Sequence, residues 1–312
     1  MVHAFGRLSR RWCLPLVLVV LAVGSAGCGS HGGRPAASGS SARTASQLYV
    51  SVGDSYAAGY QPTARGKGHP TSNGFAYQVV PAARQKGHDL QLVNFGCVSA
   101  TTESIVDRPG CKPYNSSPGG PAYEGQPQAA AAGSFLRQHR GQVALVTVII
   151  GGNDITPCIR TPQPVPCVAA AVQRIKTNVG PMAAALRDAA GPGVPILGLT
   201  YPDVILGLYT LPNPALQQFA RLSVPAFQSV INPALKTAYE AAGEQFIDVT
   251  AATGAYGPLS PTVDAPPYGQ LPEPAARVCT LTYICRYFDI HPTTEGYKLI
   301  ADLVVASLPP AH

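Results

Sequence analysis

Two segments of the sequence, far apart along the chain, carry the side chains that nucleophilic catalysis needs. Gly53-Asp54-Ser55-Tyr56 contains a serine, and Asp289-Ile290-His291-Pro292 contains a histidine near the C-terminus. A serine hydroxyl is a poor nucleophile until a base removes its proton, and histidine has an ordinary pKa that suits this task at neutral pH. If folding brings Ser55 and His291 together, the pair would attack an electrophilic carbonyl carbon.

Alternating apolar runs and longer helical stretches must position these side chains. The predicted strands cover 48–52, 90–93, 143–150, 194–199 and 245–249, and the predicted helices cover 74–86, 126–139, 168–190, 214–242 and 293–308. The run 143–150 is almost continuously apolar, as in a central parallel strand that is covered on both faces. The alternation predicts an α/β fold, a three-layer α/β/α sandwich with a central, mainly parallel five-stranded sheet.

The carboxyl ends of the predicted strands are where chemical residues should gather, because parallel sheets bind ligands beyond those ends. Ser55 follows the first strand, Gly96 the second and Asn153 the third, and His291 stands just before the last predicted helix. We therefore expect all four residues to lie at one edge of the sheet.

These four motifs, in this order, resemble those of the SGNH/GDSL hydrolases, and in particular the disulfide-bearing secreted lipases and esterases of actinobacteria. The resemblance covers residues 48–308. It implies the flavodoxin-like SGNH hydrolase fold and hydrolysis of esters, with Ser55 as nucleophile and His291 as catalytic histidine. It also implies that Gly96 and Asn153 donate hydrogen bonds to the oxyanion.

Ester hydrolysis needs hydrogen-bond donors for the oxyanion on physical grounds as well. Attack on an ester carbonyl builds negative charge on oxygen, and fixed donors must meet that charge. The backbone N–H groups of Ser55 and Gly96 and the side-chain amide of Asn153 would supply three donors. Glycine suits the second position because it lets the backbone approach the ligand without a Cβ in the way.

The orienting acid is where the sequence departs from the family. The family usually places this acid three residues before the histidine, but that position is Phe288 here, and Asp289 stands two residues before. Asp289 would reach the imidazole through a different loop shape, or a backbone carbonyl near Phe288 would orient the ring. The third alternative is an acid from elsewhere, such as Asp264 or Asp203.

The N-terminal region predicts export. Basic residues precede the apolar run 14–23, which is too short for a comfortable membrane span, so residues 1–27 are expected to be a signal peptide. Cys28 follows small residues in a lipobox-like segment and would be lipidated, tethering the domain to a membrane. The alternatives are ordinary cleavage with secretion, or a retained anchor. Residues 28–46 are expected to form a flexible tether and 47–312 the hydrolase domain, placed outside the cytoplasm.

Six cysteines follow Cys28 in the sequence and predict disulfides. They form three sequence-local groups, which favours the pairs 97–111, 158–167 and 279–285: Cys97, Cys111, Cys158, Cys167, Cys279 and Cys285. Their spacing does not match a zinc site, and neither a metal nor an organic cofactor is implied. Because each pair neighbours a candidate catalytic segment, a further hypothesis is that each bridge restrains a catalytic loop.

The expected substrate is a small-molecule or lipid carboxylic ester. Rival interpretations are an O-deacetylase of cell-envelope glycans and a non-catalytic lipoprotein that binds an envelope component. The charged residues form no basic cluster, which argues against a nucleic-acid partner. A monomer is expected.

Residues 253–274 are expected to form a surface loop near the site. An acyl pocket would draw on several apolar side chains: Tyr56, Tyr60, Tyr201, Ile205, Leu206, Leu208 and Tyr209.

Overall fold

The structure, a computed structural model, describes residues 47–311. The predicted signal peptide, the tether and Cys28 lie outside the described residues. Within the described part of the chain, no helix is long and apolar enough to cross a membrane.

A five-stranded parallel sheet forms the centre of the domain and confirms the predicted fold class. Its spatial order is β4-β1-β5-β6-β7. The strands of this sheet are β1 Gln47–Gly53, β4 Leu90–Asn94, β5 Val143–Ile149, β6 Ile196–Leu199 and β7 Gln245–Ile247. β1 and β5 pair in parallel from Leu48 opposite Val143 to Gly53 opposite Ile149, so their carboxyl ends meet at one edge.

Two short antiparallel hairpins stand outside the central sheet. One pairs β2 Tyr60–Ala64 with β3 Lys67–Pro70, and the other pairs β8 Thr262–Asp264 with β9 Gln270–Pro272. The second hairpin lies within 253–274, so the segment predicted as a surface loop contains two short strands. These strands are short and rich in Pro, Gly and polar residues, and they lack the alternating apolar pattern that marks a strand in sequence.

Helices cover both faces of the sheet. The longer helices are α2 Phe75–Gln85, α4 Gln128–Gln138, α6 Pro164–Ala190, α7 Pro214–Ala226, α8 Asn232–Ala241, α10 Glu273–Leu281 and α12 Thr294–Ala306. The short helices are α1 Ser55–Ala58, α3 Ser104–Asp107, α5 Gly152–Ile155, α9 Val249–Ala252 and α11 Ile284–Tyr287. α2 packs against α12 on one face, and α6 packs against α4 and α8 on the other.

The core lies in two layers, one on each side of the sheet, because strand side chains alternate between the two faces. On β1, Val50 and Val52 belong to the layer beneath α4, α6 and α8, whereas Tyr49 belongs to the layer beneath α2 and α12. All three side chains are fully buried. The central strand β5 is covered on both faces in the same way, with Val148 in the first layer and Ile149 in the second, as its continuous apolar run predicts.

The predicted helix over 214–242 is interrupted in the structure. A π-helical turn, Phe227–Ile231, separates α7 from α8. Pro225 and Pro233 flank this turn, and neither can donate a backbone N–H to the helical ladder. The loss of regular hydrogen bonds on both sides favours the wider turn between them.

Candidate active site

Ser55 and His291 meet at the carboxyl edge of the sheet. Nε2 of His291 lies 2.8 Å from Oγ of Ser55, although 236 positions separate the two residues in sequence. Ser55 opens α1 directly after β1, and the tight junction needs Gly53, whose φ is +146°. A Cβ at Gly53 would clash with the carbonyl oxygen of Ile149 on the neighbouring strand. The strand ending therefore fixes the serine at the position where the histidine arrives.

Asp289 lies against the other side of the imidazole. Its Oδ1 lies 2.6 Å from Nδ1 of His291 and also accepts the backbone N–H of His291 at 3.0 Å. Burial alone would raise the pKa of Asp289, but the hydrogen bonds and charge of His291 outweigh burial and lower it below the usual value. Asp289 is therefore ionised at neutral pH and can hold a proton on Nδ1 of the histidine.

The backbone of Phe288 accounts for the unusual two-residue spacing. Phe288 ends α11 with φ 55° and ψ 36°, in the left-handed region that a bulky residue rarely adopts. This turn redirects the chain immediately before Asp289. Of the other acids considered, Asp203 is bonded to Ser223 Oγ and the N–H of Ile205, and Asp264 is exposed on β8. The structure brings only Asp289 among these three to His291.

Aromatic side chains pack against His291. The ring of Tyr60, at the start of β2, lies 4.3 Å from the His291 ring between centroids. Tyr56 donates its hydroxyl hydrogen to the carbonyl of Ile290 at 2.6 Å. These contacts restrict the imidazole from the side that Ser55 and Asp289 leave free.

Two buried carboxylates brace the surrounding loops. Asp54 accepts the N–H of Tyr56 at 2.9 Å and the hydroxyl of Tyr201 at 2.6 Å, and burial raises its pKa to about 7. Asp154 accepts the backbone N–H and the hydroxyl of Thr102, each at 2.9 Å. Asp154 thus ties the loop after β5 to the loop after β4.

Asn153 lies on α5 with one amide hydrogen already engaged. Its Nδ2 donates to the carbonyl of Ala100 at 2.9 Å. A side-chain amide carries two N–H donors, so this bond orients the group and leaves its second hydrogen for a ligand. The contact fits the predicted donor role, which stays a prediction.

Gly96 follows β4, where the sequence predicted it. Its N–H donates to Oδ1 of Asn94 at 2.9 Å, so it would serve an oxyanion only by giving up that bond. The glycine is required for packing, because a Cβ there would clash with the backbone of Ala57 and Ala58 in α1. The donor role of Gly96 stays a prediction.

Ser99, in the turn after β4, was not singled out from the sequence. It occupies the third position of a turn closed by the Ala100 N–H and the Cys97 carbonyl, with φ 70°. This geometry normally favours glycine, and a serine there gave no signal in sequence. Among the described residues, no hydrogen-bond partner of the Ser99 N–H is found, and the following carbonyl is the one that holds Asn153.

Gln128 joins the ends of two strands and was also missed. Its buried Nε2 donates to the carbonyls of Gly53 and Phe95, each at 2.6 Å. Gly53 leads into Ser55, and Phe95 leads into Gly96. A single glutamine within an apolar helix carries no sequence signal for such a bridge.

Three disulfides join the pairs expected from the sequence: Cys97 to Cys111, Cys158 to Cys167 and Cys279 to Cys285. The first begins beside Gly96, and the last links α10 to α11 ahead of the histidine loop. The hypothesis that the bridges restrain catalytic loops stays a prediction. Among the described residues, no group of His, Cys, Asp and Glu side chains could hold a metal ion.

An apolar cavity of about 40 Å³ lies beside Ser55. Ser55, Asn153 and Tyr201 contribute to its lining. Of the residues predicted for an acyl pocket, Tyr56, Tyr201 and Ile205 line it, whereas Tyr60, Leu206, Leu208 and Tyr209 do not.

Comparison with known proteins decides the family. Residues 51–299 match the model of the GDSL-like lipase/acylhydrolase family. The chain belongs to this family. This GDSL-like acylhydrolase is accordingly an ester hydrolase of the SGNH type.

Solved structures share the fold of this GDSL-like acylhydrolase at low sequence identity. A lipase from a goat rumen metagenome is 14% identical with a TM-score of 0.50, over 86% of this chain and 99% of the lipase. An acetyl xylan esterase from Geobacillus stearothermophilus is 12% identical with a TM-score of 0.47, over 85% and 96% of the two chains. An aryl esterase of M. smegmatis is 17% identical with a TM-score of 0.41, over 85% and 100%. No curated protein matches the sequence.

Proposed function

We propose that the protein hydrolyses carboxylic esters through a catalytic centre made of Ser55, His291 and Asp289. The observation that carries this proposal is the continuous contact from Oγ of Ser55 to Nε2 of His291 at 2.8 Å, and from Nδ1 to Asp289 at 2.6 Å. This arrangement has the nucleophile, the base and the orienting acid of a serine hydrolase in hydrogen-bond reach of each other.

The proton path follows from the two ring nitrogens of His291. Nε2 takes the hydroxyl proton as Oγ of Ser55 attacks the ester carbonyl carbon, while Asp289 stabilises the resulting imidazolium through Nδ1–H. The tetrahedral intermediate then collapses, and Nε2 returns the proton to the departing alcohol. Water repeats the cycle on the acyl-serine, releasing the acid and restoring the free hydroxyl.

The oxyanion would meet donors from the ends of three strands. The N–H of Ser55 stands at the start of α1, and the free amide hydrogen of Asn153 follows β5. The third donor after β4 is the N–H of Ser99, or that of Gly96 once released from Asn94. Loss of one such donor costs a transition state about 3–4 kcal/mol.

The cellular setting is proposed from the disulfides. Three bridges in one domain are typical of an oxidising compartment, which supports a place outside the cytoplasm. Tethering through lipidated Cys28 is proposed from the sequence. Mass spectrometry of the mature N-terminus tests it: a lipid-modified Cys28 supports the tether, and an unmodified serine, glycine or alanine start contradicts it.

The experiment for the proposed function is a panel of p-nitrophenyl esters with acyl chains of several lengths. The wild type should turn over members of the panel, Ser55→Ala should be inactive, and the remote Ser307→Ala variant should match the wild type. A wild type that is folded but hydrolyses no ester would contradict the proposal.

A further inference from the structure

The cavity beside Ser55 is built almost wholly from apolar side chains. Its walls include Ile175 of α6, Ile205 of the loop after β6, and Phe227, Ile231 and Leu235 from the interrupted helix. All five side chains are buried. The polar groups that border it belong mainly to the catalytic edge, so an apolar ligand group that enters would lie against the reacting atoms.

The π turn puts three of these walls in line. Phe227, Ile231 and Leu235 are spaced by four residues. An α-helix has about 3.6 residues per turn, so a side chain four positions further on is rotated slightly past one full turn about the axis. A π turn holds more than four residues, so the same step falls slightly short of a full turn. The rotation from Phe227 to Ile231 therefore offsets that from Ile231 to Leu235, and all three side chains face the cavity.

The position of His291 indicates which half of an ester enters. His291 must deliver a proton to the departing alcohol, so the alcohol must lie towards the imidazole. His291 does not line the cavity, whereas Ser55 and Asn153 both do. The alcohol and the acyl chain lie on opposite sides of the ester carbonyl carbon. A cavity that lies away from the imidazole therefore faces the acyl chain.

We propose that this cavity binds the acyl chain of the substrate and that Phe227 and Ile231 of the π turn limit its length. The inference rests on the proposed function. A volume of about 40 Å³ accommodates about three water-sized groups, and a methylene is of similar size. The substrates it favours are short aliphatic acyl esters, with butyryl preferred to decanoyl.

The test compares two ester series in the wild type and in Phe227→Ala. One series keeps p-nitrophenol and lengthens the acyl group from acetyl to decanoyl, and the other keeps butyrate and lengthens the alcohol. Phe227→Ala should raise the decanoyl-to-butyryl ratio of kcat/KM by about tenfold or more and leave the alcohol series unchanged. Phe246→Ala removes the same atoms from a partly buried phenylalanine on β7 that does not line the cavity, and it should leave both series unchanged.

Folding is monitored by thermal unfolding, and Ile231→Ala provides a smaller truncation of the same wall if Phe227→Ala does not fold. A decanoyl preference in the wild type, an unchanged acyl profile in the folded variants, or a shift in the alcohol series instead would overturn the inference. Failure of the proposed function has a different signature, because the wild type would then turn over none of these esters.

Discussion

The carboxylate of Asp289 lies 2.6 Å from Nδ1 of His291, although only Ile290 separates the two residues in sequence. The same carboxylate also caps the backbone N–H of His291. Asp289 therefore fixes both the imidazole ring and the backbone of His291.

Asp289→Asn tests the orienting role of this acid. The amide would keep the shape of the side chain but lose the charge that stabilises the imidazolium, so kcat should fall by about a hundred- to ten-thousand-fold with little change in KM. Steady-state kinetics measure the loss, and the melting temperature verifies the fold. Near-full turnover would assign the orientation of the ring to another group.

Phe288 supplies a paired test of the loop that delivers Asp289. Phe288→Gly should retain turnover and stability, because glycine adopts the left-handed φ without steric cost. Phe288→Val places a β-branched side chain at the same φ and should lower both stability and kcat, because β-branched residues tolerate a left-handed backbone least. Equal behaviour of the two variants would mean that backbone geometry at 288 does not position the acid.

Gln128 is predicted to position the catalytic loops without touching substrate. Gln128→Leu removes one donor from each of the carbonyls of Gly53 and Phe95, at a cost of about 0.5–1.5 kcal/mol per hydrogen bond. The first carbonyl keeps the N–H of Cys97 and the second keeps the hydroxyl of Tyr123, so neither is left unsatisfied. We expect a ten- to hundredfold lower kcat with KM nearly unchanged. Gln138→Leu, on the exposed end of the same helix, is the matched control. A loss of stability with kcat intact would reduce Gln128 to a packing residue.

The buried carboxyl group of Glu244 should make the stability of the protein depend on pH. Neither of its buried carboxylate oxygens has a hydrogen-bond partner among the described residues, and burial raises its pKa to about 8 despite the attraction of Arg187. The folded state therefore holds this proton more tightly than the unfolded chain. The stability this provides is complete below the ordinary glutamate pKa and is lost as pH rises through about 8.

Glu244→Gln removes this dependence because an amide cannot ionise. The melting temperature of the variant should match the wild type below about pH 4.5, exceed it increasingly as pH rises towards about 8, and stay above it by a constant amount at higher pH. The difference should be about 2–4 °C for each kcal/mol regained. The exposed Glu240→Gln variant should follow the wild-type curve. Parallel curves for wild type and Glu244→Gln would show that Glu244 is not titrating.

The sequence predicted the parts of the fold that depend on local pattern. The apolar runs located all five sheet strands, and the rule for parallel sheets placed Ser55 and Asn153 after β1 and β5. It did not predict the π turn at 227–231 or the left-handed Phe288, because both depend on tertiary packing more than on local propensity. The partners of Gln128 were equally hidden, since they lie on segments that only the folded chain brings together.

Labelling with a fluorophosphonate probe, followed by intact-protein mass spectrometry, tests whether Ser55 is a nucleophile activated by His291. We expect one adduct on the wild type, mapped to Ser55 by peptide analysis, absent in Ser55→Ala and formed far more slowly in His291→Ala. An adduct that persists in Ser55→Ala, or that forms at the wild-type rate without the imidazole, would contradict it.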